Sequence, residues 1–198
     1  VDDMHNLGVV HRDIKLENLL LKDKCRDADI LLCDFDLARF FEDGKDQGMT
    51  TWCGTPAYMP PEILERIPYG RNVDVWSTGC VLFMLLGGYL PFGQVADQDL
   101  YYRATTGDFD FEDEAWDVVS DAAKDLISNM LKVDPKERWS TKQILECDWF
   151  TKTSRKTLRF SDLGGTLKKF QRYCARRKMK GAVHAVSLSN SLTRKIMI

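Results

Sequence analysis

Positions 9 to 21 read VVHRDIKLENLLL. Six charged or polar side chains, His11, Arg12, Asp13, Lys15, Glu17 and Asn18, sit between two apolar flanks. A buried charge is costly unless it is paired or meets a metal or ligand. The stretch therefore demands an architecture in which apolar flanks anchor a loop whose charges converge on something polar.

A second constraint lies just downstream. ENLLL (17 to 21) and DILLC (29 to 33) are short apolar runs around the polar KDKCRDA, a pattern that predicts a small β-hairpin. HRDIKLEN precedes its first strand and CDFD follows its second, so a hairpin brings both loops to one side. Asp13, Asn18 and Asp34 would then lie close together, with Lys15 between them. Oxygen ligands of this type suit Mg²⁺, which often takes one or two carboxylates and completes its shell with phosphates and water. Singly, each charge reads as a solvated surface residue; the ordered spacing favours a metal and phosphate site.

The rest of the chain reads as mainly helical. Residues 36 to 60, punctuated by Gly, Thr and Pro, predict a long loop of the kind that carries function. Helices are expected at about 61–66, 72–87, 97–106, 118–131, 140–146 and 166–186. The fourth is the clearest: Ser120 can cap it, and Ala123, Leu126, Ile127, Met130 and Leu131 follow at helical steps.

At 44% hydrophobic, the 198 residues can build a core. The most apolar run, Val75 to Phe92, is interrupted by Ser, Thr and Gly and falls short of the ~20 residues a membrane span needs, so it reads as a buried helix. The six cysteines form no C-x-x-C pair and no zinc spacing, and free thiols in a reducing compartment are expected, the cytoplasm first and the nucleus second. No secretory signal is visible. The chain opens at Val1, directly in a periodic segment, which reads as a fragment or a truncated gene model. Net charge is −2, but no acid occurs from Leu163 onward, where nine bases lie, leaving 19 bases against 30 acids, about −11, in the remainder. An acidic body with a basic tail suggests a tail that binds the body or an acidic partner.

The sequence resembles the eukaryotic protein kinase family. HRDIKLEN matches H-R-D-x-x-x-x-N, and DFD stands where the family has D-F-G. CGTPAYMPPE resembles the end of an activation segment, and DVWSTGC and DPKERW match later helical motifs in the expected order. Lys15 indicates the Ser/Thr type. The implied fold over residues 1–150 is the larger, C-terminal lobe of a kinase, mainly α with a short β-hairpin, without the N-terminal lobe; residues 151–198 form a basic tail. The implied cofactors are ATP and Mg²⁺. By resemblance Asp13 accepts the substrate hydroxyl proton, Asn18 and Asp34 hold the metal, and Lys15 steadies the transferred phosphoryl group. Thr55 would hydrogen-bond Asp13 and Lys15, and Asp74 would brace the backbone of His11 and Arg12. Glu62 and Arg138 would form a buried ion pair. Arg12 and Arg39 can grip a phosphate on the activation loop, with Thr51 the best-placed acceptor and Thr50 the second; alternatively Arg12 pairs with a surface acid. Glu17 lies where the family can read a basic residue upstream of the target hydroxyl in a protein substrate, or it is an ordinary exposed acid.

Two departures qualify the match. Asp36 replaces the glycine of D-F-G, where a positive φ would be strained, and it adds negative charge beside Asp34. No Gly-rich loop, strand lysine or partner glutamate precedes the matched segment. The 198 residues alone are expected to be inactive, although a full-length parent would be active. The alternative is a degenerate or truncated kinase fold acting as a non-catalytic binding module.

The tail, Leu167 to Val186, is basic and amphipathic. Phe170, Cys174, Met179 and Val183 fall at relative positions 1, 5, 10 and 14, a spacing that suits a helix gripped by the two lobes of calmodulin. LKKF and ARRKMKGAV resemble the regulatory segment of calcium/calmodulin-dependent kinases, separated by about three extra residues. Packing on the kinase lobe, or a lipid or nucleic-acid patch, is the competing reading; the expectation adopted is calmodulin, with no nucleic acid and no membrane span.

Overall fold

The computed structural model describes residues 1–23, 28–41, 48–93 and 99–152, together with Arg172. The tail anchors Phe170, Cys174, Met179 and Val183 lie outside the described residues.

The chain opens with the short helix α1 (Asp2–Asn6) and strand β1 (Val9–Val10). After the charged loop and a 3-10 turn at Leu16–Asn18 come β2 (Leu19–Leu21) and β3 (Ile30–Leu32), antiparallel with Leu19, Leu20 and Leu21 opposite Leu32, Leu31 and Ile30. The predicted hairpin is therefore present, shorter at its start because residues 16–18 tighten into that turn. A second pairing went unforeseen. Strand β4 (Arg39–Phe40), inside the stretch read as loop, pairs antiparallel with β1, placing Val10 opposite Arg39.

The helices follow as α2 (Pro61–Leu64), α3 (Asn72–Gly87), α4 (Leu100–Thr106), α5 (Asp121–Met130), α6 (Thr141–Glu146) and α7 (Asp148–Lys152). Proline at the first position opens α2, where its missing N–H costs nothing. Ser120 caps α5 as the sequence suggested, and Ser140 with Gln143 closes a capping box on α6. Helix α3 is the axis of the molecule. Trp76, Cys80, Val81, Phe83 and Met84 all pack in the main core with Phe92, Trp116, Ile127 and Leu131. The apolar run from Val75 is thus an interior helix; no described helix is long and apolar enough to cross a membrane. Gly79 sits where α5 crosses: a Cβ there would come within 2.9 Å of Leu131 Cδ2 and 3.0 Å of Met130 Cβ.

A smaller cluster, Val10, Phe41, Met49, Met59, Ile63, Tyr69 and Val73, fixes the charged loop and residues 49–59 against the start of α3. That cluster positions the site.

Candidate active site

The loop from His11 to Asn18 is held from below by one carboxylate. Asp74, fully buried on α3, accepts the His11 N–H through Oδ2 and the Arg12 N–H through Oδ1, each at 2.8 Å. His5 Nε2 lies 3.0 Å from the same Oδ2. Two adjacent N–H groups thus share one carboxylate, and Arg12 adopts φ 68°. The buried acceptor stabilises that left-handed turn.

The turn lifts Asp13 into a cluster. Thr55 Oγ1 donates to Asp13 Oδ1 at 2.7 Å, and Lys15 Nζ donates to Asp13 Oδ2 at 2.5 Å and to Thr55 Oγ1 at 3.1 Å. Gly54 makes this approach possible: with φ 110°, its position is one where a Cβ would meet the Arg12 carbonyl oxygen at 2.7 Å. Asn18 Nδ2 donates to the Asp13 carbonyl at 2.9 Å, which commits its amide N–H₂ and leaves Oδ1 as an acceptor.

The hairpin ties Asp34 to this loop. Cys33 N–H donates to the Asn18 carbonyl at 2.9 Å, His11 Nε2 lies 3.1 Å from the Cys33 carbonyl, and the His11 ring meets Phe35 edge-on at 4.8 Å. Asp34 is exposed and holds φ 68°. Among the described residues no group of three or more His, Cys, Asp or Glu side chains gathers as a metal cluster. Asn18 Oδ1 and the Asp34 carboxylate are oxygen donors of the kind that suits Mg²⁺ completed by phosphate and water, on two segments joined by the Cys33–Asn18 hydrogen bond.

Asp36 departs from expectation. It does not share the positive φ of Asp34; it lies in a turn closed by Ala38 N–H to the Phe35 carbonyl at 2.9 Å. An ordinary turn tolerates an aspartate, so the anticipated backbone strain is absent.

Arg12 Nε donates to the Leu37 carbonyl at 2.6 Å, and Nη1 to Tyr69 Oη at 3.4 Å. Two of its donors are thus engaged by neutral oxygens of the fold. Arg39, on β4, is exposed, as are Thr50, Thr51 and Glu17. Away from the loop, Arg138 grips Glu62 with both ends of its fork, at 2.7 and 3.0 Å. Its remaining donors reach the Lys132, Asn72 and Val133 carbonyls, and its guanidinium lies 5.0 Å from the Trp76 ring centroid. Sequence reasoning missed His5 and Tyr69. A lone histidine on a five-residue helix and a lone tyrosine after a proline carry no spacing to read. Burial pushes the Tyr69 phenol up, while the Arg12 hydrogen bond pulls it down.

A family model for the protein kinase domain matches residues 1–150, and the chain belongs to that family. The relatives it matches include proteins named as calcium/calmodulin-dependent protein kinases. It is 42% identical over 151 residues to calcium/calmodulin-dependent protein kinase type 1 of Caenorhabditis briggsae, covering 76% of this chain and 42% of the relative. Type 1 of Macrobrachium nipponense is 39% identical over 189 residues, covering 95% of this chain and 53% of the relative. The type II alpha chain of Drosophila melanogaster is 39% identical over 191 residues, covering 96% and 35%. The chain thus spans from about a third to about half the length of these curated relatives.

Proposed function

We propose that this chain is the C-terminal lobe and regulatory tail of a Ser/Thr protein kinase that transfers the ATP γ-phosphoryl group to protein hydroxyls. The observation that supports this most is the Asp13 carboxylate, held on one oxygen by Thr55 and on the other by Lys15. Mg²⁺·ATP, when bound, supplies the phosphoryl group and the charge that balances its oxygens. Asn18 Oδ1 and the Asp34 carboxylate are the donors for the metal. Asp13 orients the incoming hydroxyl and accepts its proton as the oxygen–phosphorus bond forms and the bond to the ADP oxygen breaks. Lys15 neutralises charge on the moving group, and Thr55 keeps Asp13 and Lys15 in register. Such a site works by positioning and electrostatics, with little covalent chemistry from the protein.

The nucleotide's other supports, a Gly-rich loop and a strand lysine, are not in these 198 residues. The chain alone is expected not to turn over. A gene product carrying these residues together with those supports is expected to phosphorylate a serine peptide with basic residues upstream, which Glu17 would read. Replacing Asp13 with Asn in that product should lower kcat by about 10²–10⁴-fold in a radiolabelled transfer assay. Undiminished turnover would end this reading. The rival reading, a non-catalytic binding module, rests on Asp36 and on the missing nucleotide supports; the turn at Phe35–Ala38 accommodates Asp36.

Regulation belongs to the same proposal. Phosphate on Thr51, or on Thr50, would be gripped by Arg12 and Arg39. The tail would cover the substrate groove until calcium-loaded calmodulin captures Phe170, Cys174, Met179 and Val183. The relatives' names support this partner. The expected compartment is the cytoplasm.

A further inference from the structure

Tyr69 stands between the charged loop and the segment bearing Thr51. Its backbone pairs with Met49 in both directions, Met49 N–H to the Tyr69 carbonyl at 2.8 Å and Tyr69 N–H to the Met49 carbonyl at 2.9 Å. Its ring is buried in the cluster with Phe41, Met49 and Ile63. Its hydroxyl donates to the Thr51 carbonyl at 2.7 Å and accepts from Arg12 Nη1 at 3.4 Å, and Cys53 Sγ lies 3.7 Å away. A phenol has one proton to give and lone pairs to receive. Here the proton goes to the 49–55 limb and a lone pair faces the guanidinium. Arg12 in turn holds the 34–39 limb through the Leu37 carbonyl.

We propose that Tyr69 is a positioning residue: its hydroxyl is the strut that sets the Thr51 backbone against Arg12 and so holds the 49–55 limb in the register that delivers Thr55 to Asp13. Three observations converge on it. The strut ties Thr51, four residues before Thr55, to the guanidinium of Arg12, next to Asp13 in sequence. Burial favours the neutral, donating phenol, as the raised pKa of Tyr69 reflects. The paired Met49 leaves the limb anchored at its start and the hydroxyl anchors its middle. The inference rests on the kinase reading for its consequence and on geometry alone for its existence.

The test is amide hydrogen exchange on the 198-residue chain, whether or not that chain transfers phosphate, so the strut and the kinase reading can fail separately. Tyr69→Phe keeps the ring and removes only the oxygen. It should speed exchange of residues 49–55 about 5–10-fold, the scale of one net hydrogen bond, while exchange in α3 and α5 stays unchanged. Cys53→Ala, which removes the thiol and keeps the hydroxyl, should leave 49–55 as in the parent. Unchanged exchange in Tyr69→Phe overturns the inference. So does a uniform rise through α3 and α5, or failure to fold, either of which assigns Tyr69 to the core alone. An equal rise in Cys53→Ala would transfer the role to the thiol and overturn it too.

Discussion

Arg138 and Glu62 form a pair whose worth is asymmetric. Both side chains are buried, and the guanidinium has carbonyl partners beyond the carboxylate. Removing one partner leaves the other charge uncompensated, at a cost of about 3–5 kcal/mol. Glu62→Gln and Arg138→Met should each lower stability by that order in urea unfolding. Arg138→Met paired with Glu62→Met should recover much of the loss, because an apolar pair leaves no orphan charge. The ion pair could be named from the sequence, as could Asp13, Asn18, Thr55 and Asp74, because each sits inside a motif that resembles those of the kinase family. His5 and Tyr69 could not. Their partners are 69 and 57 residues away along the chain, Asp74 for one and Arg12 for the other, and nothing local announces them. Asp36 shows the reverse case: a departure visible in sequence whose consequence depended on a backbone angle that sequence does not carry.

Helix α3 shows how an element's packing limits substitution. Gly79 meets Leu131 and Met130 with no space for a methyl group. Gly79→Ala gains helix propensity of at most about 1 kcal/mol but forces α5 outward. The net expectation is a loss of about 1–3 kcal/mol, read as a lower denaturant midpoint with an unchanged slope. At the periphery, Ser140→Ala removes the α6 capping box and should cost about 1 kcal/mol. Sequence reading found α3 and α5 because their apolar residues recur over several turns, and it found the β2–β3 hairpin because two apolar runs flank a polar turn. It missed the β1–β4 pair, since two-residue strands some 30 positions apart have no periodicity to reveal. The pair forms because Val10 and Phe41 share the smaller cluster, which brings Arg39 opposite Val10.

Taken whole, the described body exposes apolar side chains on and near its two small sheets. Leu20, Leu21, Ile30 and Leu31 are exposed, and Leu7 and Phe40 are 76% and 79% accessible. Exposed apolar surface beside short strand edges favours association. The chain should therefore elute with a concentration-dependent size, and Leu21→Lys with Ile30→Glu, a charge pair placed across one register position, should restore a monomer by light scattering. The basic tail acts at the same scale. The 198-residue chain should shift on a native gel with calcium-loaded calmodulin and not after chelation, and Phe170→Asp should weaken that shift at least about tenfold. Within the described body, Asp74 alone secures three separate partners from one position on α3. A genetic screen would therefore be unable to sort alleles at this codon into folding lesions and chemical lesions. Abundance and turnover should fall together, whereas alleles at Asp13 should lose turnover while the protein still accumulates.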